Sequence, residues 1–177
     1  MSSVLLLTGR PGVGKTTVLR RVAESLGDRR LAGFYTEEIR DERGHRRGFR
    51  GIPFAGGEER TIASTEISGG PRVSKYGVDV EAVDRLVEET LIDVDDAHLV
   101  LLDEIGKMEC HSEEFVEAVK VLLEGDLPLV ATVAGRGGGF MARVREHSDA
   151  ELVEVTKENR DELPERVMGW IEEVGRE

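Results

Sequence analysis

Residues Gly9-Arg10-Pro11-Gly12-Val13-Gly14-Lys15-Thr16 fit the spacing G-x-x-x-x-G-K-[ST], and this octet constrains the chain more than any other stretch. It follows the apolar run Val4–Leu7, which reads as a buried strand. It precedes Val18, Leu19, Val22, Ala23 and Leu26, which share one face at helical spacing. A helix is therefore expected from about Lys15 to Leu26, with Gly27 as its stop. Strand, glycine turn and helix in that order make a cradle for phosphate. Gly9 and Gly14 permit positive φ and a close approach of backbone to oxygen atoms. The loop N–H groups converge as a nest, and the helix adds the positive end of its dipole. Lys15 can reach β- and γ-oxygens, the Thr16 hydroxyl can take a Mg²⁺ position, and the binding segment is expected to run on to Thr17.

A second element complements the first. Leu99-Val100-Leu101-Leu102 is a continuous apolar strand that ends in Asp103-Glu104. A carboxylate there sits at the carboxyl edge of a sheet, where ligands bind in open α/β folds. Asp103 suits Mg²⁺, directly or through water. Glu104 is the better candidate for orienting or deprotonating an attacking water. Many strands end in an acid that merely caps a helix, and the phosphate loop upstream is what favours the chemical reading. The adjacent Asp-Glu pair also suggests, by analogy, a strand lying between Val4–Leu7 and Leu99–Leu102.

The rest of the chain supplies the frame. Ala32–Arg40, Arg47–Phe54 and Arg60–Ser64 read as strands of an antiparallel insertion over about residues 32–64, with a hairpin turn at Asp41–Gly44. Strand–helix alternation then resumes. Val80, Val83, Leu86, Val87 and Leu91 mark a helix, and Ser112 can cap another with Phe115, Ala118, Val119, Leu122 and Leu123 inward. Leu129–Ala134 and Leu152–Val155 read as strands, with a short helix over Phe140–His147 between them. Asn159, with Glu162 three residues on, predicts a capping box for a last helix that carries Pro164 in its first turn. The expected architecture is α/β: a three-layer α/β/α domain of the phosphate-loop NTPase type, with a mostly parallel sheet and a small antiparallel hairpin insertion, over residues 1–177 as one domain.

Composition narrows the partners. The formal charge of −12 opposes a general nucleic-acid surface. No apolar run is long enough to span a bilayer, and a single Cys110 excludes an internal disulfide. No export signal precedes the first strand, so a cytoplasmic location is expected.

Four stretches resemble the THEP1-type nucleoside-triphosphatase family. They are the phosphate loop, Asp103-Glu104-Ile105-Gly106-Lys107-Met108-Glu109, Thr156-Lys157-Glu158-Asn159-Arg160-Asp161 and, centrally, Lys75-Tyr76-Gly77-Val78-Asp79. The resemblance implies Mg²⁺-dependent hydrolysis of ATP, GTP, CTP, UTP and TTP to diphosphates with broad base tolerance. It also implies that Gly9–Thr16 and the segment Val100, Leu101, Leu102, Asp103, Glu104, Ile105, Gly106 and Lys107 form the two nucleotide-binding stretches.

Other candidates carry bland alternatives of equal weight. Lys107 and Arg160 can add positive charge at the transferring phosphoryl group, or be ordinary surface charges. Asn159 and Arg160 are candidates for base or phosphate contacts, with Asn159 as a helix cap the simpler role. Lys75 and Tyr76 can reach a nucleotide from the insertion, or be a packed ring beside a solvated ammonium. Arg43, Arg46, Arg47 and Arg50 form a basic cluster nearly cancelled by Glu37, Glu38, Asp41 and Glu42, which favours a solvated edge. Two functions compete with hydrolysis: a kinase passing the γ-phosphate to a small molecule or RNA, and a nucleotide-dependent switch. Glu104 beside Asp103 favours water as the acceptor, and no guanine-reading motif supports a switch.

Overall fold

The computed structural model describes residues 2–176. Ten strands and five helices follow one another along the chain. A parallel sheet holds β1 (Val4–Thr8), β2 (Leu31–Ala32), β8 (Leu99–Ile105), β9 (Leu129–Val133) and β10 (Ala150–Glu154). Its order is β10-β1-β9-β8-β2, so β9 separates the loop-bearing strand from the acid-bearing one, the arrangement that the Asp-Glu pair suggests.

Alternation along the strands divides the core. Leu5 and Leu7 of β1 face one side with Leu99 and Leu101 of β8. There they meet α1 (Lys15–Ser25) and α5 (Leu163–Val174). Val4, Leu6, Val100 and Leu102 face the other side. There they meet α2 (Val80–Thr90), α3 (Glu113–Glu124) and Val144 of α4 (Gly139–Arg145). Period-two strands buried on both faces read as unbroken apolar runs, which is how β1 and β8 stand out in the sequence.

A second sheet is antiparallel. It contains β3 (Phe34–Arg40), β4 (Arg46–Pro53), β5 (Arg60–Ser64), β6 (Arg72–Val73) and β7 (Tyr76–Val78), in the order β3-β4-β5-β7-β6. It is larger than the three-strand insertion expected, because strands of two and three residues carry no readable periodicity. The expected strand Ala32–Arg40 is also divided. Leu31–Ala32 pairs in parallel with Leu99–Val100, and Phe34 onward pairs with β4. Gly33 makes the break: its φ is +95°, and a Cβ there would lie 1.8 Å from the Leu101 carbonyl oxygen. Only glycine lets the chain press against β8 while leaving one sheet for the other. Phe34 then enters the core against Phe115, with ring centroids 6.2 Å apart.

Helix starts follow side-chain chemistry. Ser112 Oγ accepts from Phe115 N at 3.0 Å, and Asp79 Oδ1 accepts from Ala82 N at 3.0 Å. The Asn159–Glu162 capping box does not form. Thr156 and Asn159 instead exchange the reciprocal pair: Asn159 Oδ1 accepts from Thr156 N at 2.7 Å, and Thr156 Oγ1 accepts from Asn159 N at 3.2 Å. The box sits one turn earlier, with Thr as the cap and Asn in the position usually held by Glu. α5 proper begins at Leu163 with Pro164 in its first turn.

Candidate active site

β1 delivers the phosphate loop to the carboxyl edge of the parallel sheet. Gly9 has φ +148°, and a Cβ there would lie 2.8 Å from the Val155 carbonyl oxygen, so the loop leaves the strand tightly against the end of β10. Gly14 precedes α1 in a left-handed conformation, φ +117°. Lys15 therefore emerges at the first turn of α1 and folds back over the loop. Its Nζ donates to the Gly9 carbonyl at 3.1 Å and lies 3.0 Å from Glu104 Oε2, and the side chain is 8 % exposed.

Asp103 lies beneath, 1 % exposed, at the end of β8. Thr16 Oγ1 donates to its two oxygens at 3.1 and 3.0 Å, and Thr132 Oγ1 donates at 2.7 Å. The N–H and hydroxyl of Thr36 both donate at 3.3 Å. Burial pushes the Asp103 carboxyl above its ordinary range, and the hydroxyls of Thr132 and Thr16 and the amide and hydroxyl of Thr36 pull it back. Burial raises Glu104 as well, the Lys15 ammonium opposes that rise, and the Asp103 charge adds to it. The pairing of Thr16 hydroxyl with Asp103 carboxylate offers hard oxygen donors of the type that Mg²⁺ takes, on the β-phosphate side of the loop. The residues fit that ion.

The cleft in front of these groups encloses about 760 Å³. One wall is Pro11, Gly12, Gly14, Lys15, Thr16 and Thr17; the far wall, with Thr36, Glu37, Phe49 and Val73, comes from the antiparallel sheet. Lys107, Arg136 and Glu109 close the end beside Glu104. Of the segment Val100–Lys107, Asp103, Glu104 and Lys107 line this space. Val100, Leu102 and Ile105 are buried in one core cluster and Leu101 in the other, so they hold the strand and do not face a ligand. Gly106 lies between the carboxyl groups of Glu104 and Glu109. Arg10 is exposed and Val13 packs partly into the core.

Arg160 and Asn159 lie outside the cleft lining. Arg160 Nη1 donates to the Val13 carbonyl at 3.1 Å, so its guanidinium rests on the outer side of the phosphate loop. Asn159 is committed to its own turn: besides the exchange with Thr156, its Nδ2 donates to the Glu154 carbonyl at 2.7 Å. The basic cluster is paired with acids. Arg46 meets Glu38 at 2.9 Å, Arg47 meets Asp41 at 2.8 Å, and Arg50 lies 3.6 Å from Glu37. Tyr76 is buried against Phe49, with Lys75 over its ring, which is the packing alternative.

Sequence reasoning missed Thr36, Thr132, Arg20, Arg136 and Glu109. Thr132 carried a faint signal, a lone hydroxyl in the apolar run Leu129–Val133. Thr36 carried none, since its contact with Asp103 spans 67 residues and joins two sheets.

A family model described as NTPase matches residues 4–168. Nucleoside-triphosphatase THEP1 of Methanosarcina barkeri is 38 % identical over 173 residues, covering 96 % of this chain and 98 % of that protein. Nucleoside-triphosphatase THEP1 of Thermofilum pendens is 42 % identical over 164 residues, covering 90 % of each. The crystal structure of THEP1 from Aquifex aeolicus superposes with a TM-score of 0.78 at 32 % identity, over 95 % of this chain and 98 % of that one. With matched sequence over nearly its whole length and the same fold built around the same kind of loop, this chain belongs to the NTPase family that includes the THEP1 nucleoside-triphosphatases.

Proposed function

We propose that the protein is a nucleoside-triphosphatase that hydrolyses the terminal phosphate of ATP, GTP and other triphosphates with Mg²⁺ and little regard for the base. The observation that carries this is the Lys15–Glu104 contact at 3.0 Å across the mouth of the phosphate loop. A cation suited to phosphate and a carboxylate suited to water are held together in the same spot. An arriving triphosphate competes for Lys15, which exchanges Glu104 for β- and γ-oxygens. Glu104 is then free to take a proton from a water as that water's oxygen bonds to the γ-phosphorus. The bond from the γ-phosphorus to the bridging oxygen breaks, and the diphosphate leaves with that oxygen. Thr16 and Asp103 would hold Mg²⁺, which when bound neutralises charge on the phosphate oxygens. Lys107 and Arg136 add positive charge at the same end of the cleft.

Base tolerance has a physical support. The Thr156–Asp161 segment carries the residue types that could read a base edge, but three polar groups of Asn159 are engaged by Thr156 and Glu154. Arg160 offers a planar cation that any base can stack on.

The test is phosphate release across several triphosphates with the wild type, Lys15→Ala and Glu104→Gln. Lys15→Ala is expected to weaken binding and turnover together. Glu104→Gln is expected to leave binding nearly intact and to slow turnover by roughly a hundredfold, the scale of a lost general base. Wild-type turnover by Glu104→Gln would remove Glu104 from the mechanism. Release only on addition of an alcohol or RNA acceptor would replace hydrolysis by a kinase reaction.

A further inference from the structure

Glu104 has one strong partner among the described residues, Lys15, which holds its Oε2. On the proposed reading a bound triphosphate takes that partner away. Something else must then keep a flexible carboxylate aimed at the attacking water. The group nearest to hand is a second acid. Glu109, on the 3-10 turn Glu109–His111 that follows β8, is 5 % exposed and lines the same cleft. The two side chains converge on Gly106 from either side. From the point where Gly106 would carry a Cβ, Glu104 Oε1 lies at 2.9 Å and Glu109 Oε2 at 3.1 Å. A methyl group at Gly106 would wedge them apart, so glycine is required for the acids to approach. The oxygen of Glu104 that faces Glu109 is the one Lys15 does not hold.

We propose that Glu109 is a positioning residue whose carboxyl donates a hydrogen bond to Glu104 and holds it for the attacking water once Lys15 has moved to the phosphates. The inference rests on the general-base reading of Glu104. No basic side chain among the described residues lies within salt-bridge distance of Glu109, and the charged and titratable groups around it are Glu104 and Asp103 of β8 and the neighbouring Cys110. Two adjacent buried carboxylates without a cation cannot both ionise, so one keeps a proton. Burial, with the Glu104 charge behind it, pushes Glu109 up to about 8, which assigns the proton to Glu109. A carboxyl that keeps its proton donates to a carboxylate through one of the shortest and strongest kinds of neutral-to-anion hydrogen bond. That bond leaves Glu104 ionised and oriented.

Two substitutions and a cycle test it. Glu109→Gln keeps a donor of the same shape and is expected to retain turnover within about threefold. Glu109→Met keeps the volume, loses the donor, and is expected to slow kcat by about tenfold or more with triphosphate KM within twofold. In the Glu104→Gln background Glu109→Met is expected to cost nothing further, because residues that act as one unit are not additive. A purely structural role would not produce that non-additivity. The proposal is overturned if Gln is as slow as Met, if KM moves with kcat, or if the Met effect persists undiminished beside Glu104→Gln. Should Glu109→Met not fold, the Gln variant decides alone: turnover near wild type supports the proposal, and a tenfold loss refutes it. The two readings fail differently. Wild-type turnover by Glu104→Gln sinks the role of Glu104 itself, whereas a slow Glu104→Gln with a fully active Glu109→Met sinks only the positioning role.

Discussion

At the scale of single residues, burial of acids governs the site, and it leaves a signature in stability. Glu109 has an ordinary value of 4.5 and a folded value of about 8. Between these the folded chain binds more protons than the unfolded one, so unfolding free energy falls as pH rises. The contribution is fully present below about 4.5 and is lost as pH climbs through 8. A tenfold change in proton affinity is worth about 1.4 kcal/mol, so the loss is on the order of a few kcal/mol. Glu109→Gln removes the titration. Its Tm is expected to fall less than that of the wild type between pH 5 and pH 8 in parallel thermal melts. Equal slopes for the two proteins would mean that Glu109 ionises normally. The residue scale also shows what was legible. Gly9, Gly14, Lys15, Thr16, Asp103 and Glu104 could be read because fixed spacing or a strand end singles them out. Thr36, Thr132 and Glu109 could not, because their roles come from contacts across the fold and from burial, which one-dimensional spacing does not encode.

At the scale of elements, the departures from expectation come from short pieces and from competing caps. β1, β8, β9, α2 and α3 were legible because long apolar patterns and Ser112 mark them. β2, β6 and β7 are two or three residues long and take their identity from a neighbour. The division at Gly33 is likewise tertiary, since it reflects how closely the chain passes the Leu101 carbonyl. Gly33→Ala would combine a positive φ with a 1.8 Å overlap against backbone that cannot yield. It is expected to destabilise by more than about 3 kcal/mol or to prevent folding, as chemical denaturation would show. A cost under about 1 kcal/mol would mean that the two sheets part more easily than their packing indicates. Asn159→Ala tests the relocated cap. It removes bonds to Thr156 N and the Glu154 carbonyl and is expected to cost about 1 kcal/mol, without changing the relative rates for ATP and GTP. A shift in that ratio would show that Asn159 reads the base after all.

At the scale of the whole molecule, a chain of formal charge −12 must admit a polyanion. Long-range and local fields oppose each other here. The net charge repels a triphosphate at a distance. Lys15, Arg20, Lys107 and Arg136, all lining the cleft, attract it at short range, although Glu37 and Glu38 on the far wall weaken that attraction. Salt separates the two contributions. At about 10 mM ionic strength the Debye length is near 30 Å, so approach is governed by the whole surface; at about 150 mM it is near 8 Å, so only the cleft is felt. Association of a magnesium-bound fluorescent triphosphate is therefore expected to quicken a few-fold as salt rises over that range, by stopped flow. Dissociation, set inside the cleft, should change much less. A basic nucleic-acid binder would show the reverse, losing affinity steeply with salt. An association rate that falls with added salt would mean that positive potential from the cleft dominates the approach path, and that the acidic surface faces away from it.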